Sequence, residues 1–172
     1  MDIAELIEFR RQKDEFFREG HNTPLGSGDH PHFEGLDYFD PQPDLVFTTS
    51  VALGDGSEVR VQTSDDREKV YSLYGTVSLE IAGKTVELTV YETPHGLFLP
   101  FRDATSGNAT YGAGRYLDLE LNDDGTLTID FNLAYNPSCV YSDGWSCPIP
   151  PVGNWMQVPI EAGEKMYPKE NE

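Results

Sequence analysis

Residues 70–101 read VYSLYGTVSLEIAGKTVELTVYETPHGLFLPF, and the spacing of their apolar side chains decides the fold. Apolar residues recur at every second position, the period of a strand with one buried face. Tyr71, Leu73, Val77, Leu79 and Ile81 share one face of a first strand. Val86, Leu88 and Val90 follow in a second, and Leu97, Leu99 and Phe101 in a third. Ala82-Gly83 suits a two-residue hairpin loop, and Thr93-Pro94-His95-Gly96 a second turn. Strands joined so tightly are antiparallel neighbours.

The same period extends both ways. Upstream, Leu45, Phe47, Val51 and Leu53 precede a turn at Gly54-Asp55-Gly56, and Val59, Val61 and Thr63 precede another at Asp65-Asp66-Arg67. Downstream, Leu117, Leu119 and Leu121 turn through Asn122 to Gly125 into Leu127, Ile129 and Phe131, and a last short strand is expected from Trp155 to Ile160. That makes about eight strands, each with an apolar face for a core and a polar face for water. The expected fold is mainly β, an antiparallel up-and-down β-barrel or a strongly curved β-sandwich over residues 45–165.

Residues 2–20 are expected to form one N-terminal helix. Asp2 and Glu5 make a capping-box start, Ile3, Leu6, Ile7, Phe9, Phe16 and Phe17 an apolar stripe, and Gly20 a C-cap. Residues 21–44 have no period and form a long connection, pinned by Phe33, Leu36, Tyr38 and Phe39. It carries His21, His30 and His32. The triplet His30-Pro31-His32 has no Cys at a familiar ligand spacing, so no metal site is expected there. Residues 1–172 read as a single domain.

Thirty acidic residues stand against 12 basic ones, a formal net charge of −18. Such a surface repels nucleic acid phosphates and anionic membranes, which excludes both as partners. It also repels itself, which destabilises the compact state until salt screens it. At 1 M salt the Debye length is about 3 Å, so the composition reads as adaptation to a salty cytoplasm. The melting temperature should therefore climb steeply from dilute buffer to molar KCl; a flat response rules this reading out. Residues 1–10, MDIAELIEFR, carry charges where a signal peptide needs an apolar stretch, and no run approaches a membrane span, so a cytoplasmic location is expected.

Antiparallel threading has a consequence for function. If 97–101, 115–121 and 126–131 are consecutive strands, loops 102–114 and 132–154 lie at one end of the sheet. Arg102, Asp103, Thr105, Ser106, Asn108, Thr110, Tyr111, Arg115, Asn132, Tyr135, Asn136, Cys139 and Tyr141 are thereby gathered, and the mouth of a small barrel is a common ligand site. Register adds that Leu119 should face Ile129, which sets Asp118 opposite Asp130 on the other face. Those carboxylates are either an acid/base pair or an outward acidic face relieved by salt or Arg115. Gly107, Gly112 and Gly114 permit positive φ or close backbone approach, but no phosphate-binding loop motif is present. Pro148, Pro150 and Pro151 stiffen a loop that holds Tyr141 and Trp145 and runs up to Trp155. Cys139 and Cys147 are open to three readings: buried thiols, a disulfide, or a nucleophile at Cys139. Their spacing is not a zinc spacing, and no cofactor is expected.

Several ordered blocks have a familiar look. They are Phe101 to Gly107, Thr110-Tyr111-Gly112, Gly114 to Leu117, Asp130-Phe131-Asn132, Ala134 to Pro137 with Cys139, Cys147-Pro148 with Pro150-Pro151, Asn154, and Ala162 to Lys165. Together they resemble the prokaryotic domain-of-unknown-function family DUF1684 over most of the chain, in a short form lacking the longer N-terminal region of some members, with a halophilic archaeon as the expected source. Ser138 stands where that family often has a second Pro, and Ile149 where Leu is usual. The resemblance implies no activity; it implies that the shared residues are those of the two loops.

Two functional readings follow, with a structural one beside them. The first is binding of a small polar or anionic molecule, with Arg102 and Arg115 as charge partners and Asp103, Thr105, Ser106, Tyr111, Asn132, Tyr135 and Asn136 around it. The second is a hydrolase using Asp103 or Asp130 as base or Cys139 as nucleophile. In the third, the polar loops only latch the body shut.

Overall fold

The computed structural model describes residues 2–20, 23–25 and 33–167. His21, His30 and His32 lie outside the described residues. Helix α1 spans Ile3–Glu19. Its capping box forms as expected: Asp2 Oδ1 accepts from the Glu5 amide at 2.8 Å, and the Asp2 amide donates to Glu5 Oε2 at 3.1 Å. Only part of its apolar stripe docks. Leu6 and Phe17 are buried, whereas Ile3, Ile7, Phe9 and Phe16 stay exposed.

Eight strands follow: β1 Val46–Thr49, β2 Ala52–Leu53, β3 Glu58–Gln62, β4 Glu68–Ile81, β5 Lys84–Thr93, β6 Gly96–Phe101, β7 Arg115–Leu119 and β8 Leu127–Asp130. All ladders are antiparallel. One sheet has the order β2-β4-β5-β6-β7, with β3 also paired to β4; the other is β1 with β8. The protein is thus mainly β with one N-terminal helix. Neither sheet closes into a barrel among the described residues. Both sheets contribute to one core, which includes Val77, Leu88, Leu99, Phe101, Leu117, Ile129 and Phe131.

Three expectations need correction. The run from Leu45 to Leu53 is not one strand, because the chain changes sheets at Ser50-Val51. β1 takes β8 as its partner and β2 takes β4. As a result β8 does not return along β7. Leu121 and Leu127 make one bridge, and then the strands part, so Leu119 and Ile129 are not paired in a ladder. Trp155 to Ile160 has Met156, Val158 and Ile160 buried but bends at Gln157-Val158 and makes only a single bridge, Arg102 to Trp155. Pro159 has no N–H to offer a ladder there.

The face assignment of residues 71–81 also changes, and this matters most for the site. Leu73 pairs with Tyr91, but Gly75 pairs with Val90, so a bulge inserts Tyr74. One extra residue turns every later side chain to the opposite face. Val77, Leu79 and Ile81 face the core, while Tyr71 and Leu73 lie on the other face beside Tyr91 and Phe98.

Candidate functional site

Loops 102–114 and 132–154 do meet. Tyr116 and Tyr135 exchange two backbone hydrogen bonds, at 2.9 and 3.0 Å, and the Tyr111 hydroxyl lies 3.8 Å from Cys139 Sγ. The space between the loops is occupied by the segment 158–165. Arg115, fully buried, donates from Nη1 to the carbonyls of Ala162 and Glu164 at 2.5 and 3.1 Å, and from Nη2 to that of Ile160 at 2.9 Å. Nη2 also faces Asp103 Oδ1 at 3.5 Å. Asp103 Oδ2 accepts from the Ile160 amide at 2.7 Å and from the Thr105 hydroxyl at 2.7 Å, and the Ser106 hydroxyl reaches Oδ1 at 3.4 Å. Burial lowers the Arg115 pKa from its ordinary value, and the Asp103 charge opposes that shift.

Glu164, which the sequence reading did not single out as a site residue, is the second centre of this network. It is buried; its Oε1 accepts from the Asn136 amide and the Tyr141 hydroxyl, each at 3.0 Å, and its Oε2 pairs with Lys13 of α1. Asp103 and Asn136 are thus linked through Arg115 and Glu164. Asn136 Nδ2 donates to the Lys165 carbonyl at 3.0 Å. Asn132 and Gln42 exchange two hydrogen bonds, at 2.8 and 3.0 Å, that tie the connection before β1 to the core. Arg102 lies outside the network, its guanidinium 4.5 Å from the Trp155 ring. Asp130 is buried and accepts twice from Asn132, at 2.9 Å each, while the exposed Asp118 accepts from the Tyr135 hydroxyl at 2.9 Å. The two carboxylates border one groove of about 600 Å³ where β7 and β8 diverge, each already holding its own partner.

A second cleft of about 680 Å³, which shares Thr93, His95 and Asp118 with that groove, opens on the face of the larger sheet away from the core. Its walls are Tyr71, Phe98, Tyr116, Tyr135 and Trp145, with Lys69, His95, Asp118, Ser138 and Cys147 among them. The rings form a ladder: Tyr71 to Phe98 at 5.9 Å, Phe98 to Tyr116 at 4.9 Å, Tyr116 to Tyr135 at 5.7 Å between centroids. The bulge in β4 puts Tyr71 there, and strand parity puts Phe98 and Tyr116 there. Burial raises the phenol pKa of Tyr71, Tyr116 and Tyr135, so all three remain neutral hydrogen-bond donors. Of these walls only Tyr135 belongs to the expected ligand residues. The missed signal was present: Tyr71, Tyr91, Phe98 and Tyr116 are aromatic at positions where an outward strand face would be polar.

Loop 142–150 closes this cleft because it is laced to the end of β3. Ser64 donates its amide to the Cys147 carbonyl at 2.8 Å, and Ile149 donates to the Gln62 carbonyl at 2.7 Å. Both cysteines are free thiols. The Cys139 amide donates to Cys147 Sγ at 3.4 Å. A hydrogen bond from the Cys147 thiol brings the Cys139 pKa down to about 6 against the effect of burial, with Tyr111 and Ser64 assisting. The same contact, then burial, pushes Cys147 up. Tyr111 is raised to about 12, by burial first and then by Cys139. Among the described residues no group of three or more His, Cys, Asp or Glu is placed to hold a metal ion, and no helix is long and apolar enough to cross a membrane.

No curated protein matches the chain. A solved structure does: the solution NMR structure of an uncharacterized protein of Haloarcula marismortui, 38% identical, covering 94% of this chain and 92% of that one with a TM-score of 0.71. Residues 31–165 match the model of a protein family of unknown function, and the chain belongs to that family, DUF1684.

Proposed function

We propose that the protein binds a small ring-bearing molecule carrying a negative charge, held in the aromatic cleft between the larger sheet and loop 142–150. The network of Asp103, Arg115 and Glu164 is then the latch that fastens the chain behind it. The observation that carries this reading is Lys69. It lines the cleft beside the ladder of rings, and among the described residues it forms no ion pair, in a chain with a formal net charge of −18. An ammonium with no acidic partner beside aromatic faces suits an anion attached to a planar ring. The cleft also falls in the size range of small-molecule sites, roughly 300–1,000 Å³.

The test is saturation-transfer NMR in molar KCl with a panel of aromatic carboxylates and nucleoside monophosphates, and with ring-free anions as controls. Ring-bearing anions should bind, and both Tyr71→Ala and Lys69→Ala should weaken the best of them about tenfold, equivalent to about 1.4 kcal/mol. A panel without a binder, or binders indifferent to both substitutions in folded protein, overturns the reading.

A further inference from the structure

We propose that Cys139 and Cys147 are a redox-active dithiol that oxidises reversibly to an intrachain disulfide, a modification site beside the aromatic cleft, which Cys147 lines. The two residues are held side by side by the fold, not by chance proximity of a mobile loop. Cys147 is fixed on both sides of its peptide unit: its carbonyl accepts from Ser64, and its amide donates to Ser64 Oγ at 3.1 Å. Its sulfur in turn lies 3.4 Å from the Cys139 amide nitrogen. Cys139 sits in the short 3-10 turn Ser138–Val140, with the Tyr111 hydroxyl 3.8 Å from its sulfur.

The two thiols are unequal, as a peroxide-sensing pair requires. Cys139 is half-buried and reachable, whereas Cys147 is buried, with 6% exposure. The Tyr111 hydroxyl lies 3.8 Å from Cys139 Sγ, the Ser64 hydroxyl oxygen accepts from the Cys147 amide at 3.1 Å, and Lys69, Tyr71 and Tyr116 line the same cleft as Cys147. Such surroundings favour a thiolate on the accessible residue. With hydrogen peroxide as oxidant, the Cys139 thiolate attacks one peroxide oxygen. An S–O bond forms, the O–O bond breaks, and hydroxide leaves, giving a sulfenic acid. Cys147 then attacks that sulfur. The S–S bond forms, the S–O bond breaks, and the departing hydroxyl leaves as water with the Cys147 proton. A small dithiol returns both residues to thiols by exchange.

The experiment uses the intact chain and reads mass, so it does not depend on what the cleft binds. After brief exposure to hydrogen peroxide, the folded protein should lose the mass of two hydrogens, and its proteolytic map should show the peptides of Cys139 and Cys147 joined. Dithiothreitol should reverse the change. Cys147→Ser should stop at a sulfenic acid on Cys139 that dimedone captures. Cys147 in the Cys139→Ser protein should react about tenfold more slowly or worse, as a buried protonated thiol does. Chain-to-chain disulfides, equal reactivity of the two residues, or thiols that persist through the treatment would each overturn the proposal.

Discussion

Arg115→Leu should lower the free energy of unfolding by about 3–5 kcal/mol, the usual cost of removing one partner from a buried ion pair. Two losses combine. The Asp103 side chain, 1% exposed, loses its cation. The carbonyls of Ile160, Ala162 and Glu164 lose their donor. Against a total stability of about 5–15 kcal/mol for a domain, the variant should be marginal. Urea unfolding in molar KCl measures it. The double variant Asp103→Leu/Arg115→Leu tests the stranded charge. It removes the stranded charge but leaves the three carbonyls bare and takes the acceptor from the Ile160 amide and the Thr105 hydroxyl, so it should recover only part of the stability. Full recovery would mean that the ion pair alone mattered; a single variant within about 1 kcal/mol of the parent would mean that the network does not hold the chain.

Gly114→Ala should be comparably damaging, by about 2–6 kcal/mol from backbone strain and overpacking together. Gly114 has φ +107°, and a Cβ there would lie 2.3 Å from the Phe101 carbonyl oxygen and 3.0 Å from Pro150 Cγ. The first of these is backbone of β6, next to the start of β7, and cannot step aside without disturbing the pairing of Phe101 with Arg115. Gly107→Ala is the matched control. Its φ is +89°, but nothing lies within 4 Å of the added methyl, so only strain of about 1–3 kcal/mol is expected. The difference between the two melting curves isolates the close approach. Equal losses would refute the role assigned to it.

Much of this architecture was legible in the chain. Period-two spacing locates the strands from Val59 to Ile129, and Asp2 with Glu5 marks the start of α1. The two loops meet as expected, although the return of β8 along β7 that the expectation used does not form, since β8 pairs with β1. What strand pattern could not reveal was which strand β8 would choose. Leu127 to Phe131 looks the same whether it pairs with β7 or β1, since both present alternating apolar faces. The bulge at Tyr74 was equally silent, because Tyr suits either face of a sheet whose two sides are both covered. Nor could a reading centred on loops foresee the segment 158–165. Glu164 looks like one more surface acid among thirty, and only its neighbours Asn136, Tyr141 and Lys13 make it a buried one.

The hold of Arg115 on the carbonyls of residues 160, 162 and 164 also sets a timetable for the newborn chain. Its partners lie 45 to 49 positions downstream. At translation speeds of about 5–20 residues per second, β7 leaves the ribosome seconds before the carbonyls that complete it. Until they arrive, burial of the guanidinium and its carboxylate would leave donors unpaired, so this part of the core is expected to close late. Closure around Arg115 waits for residues 160–164.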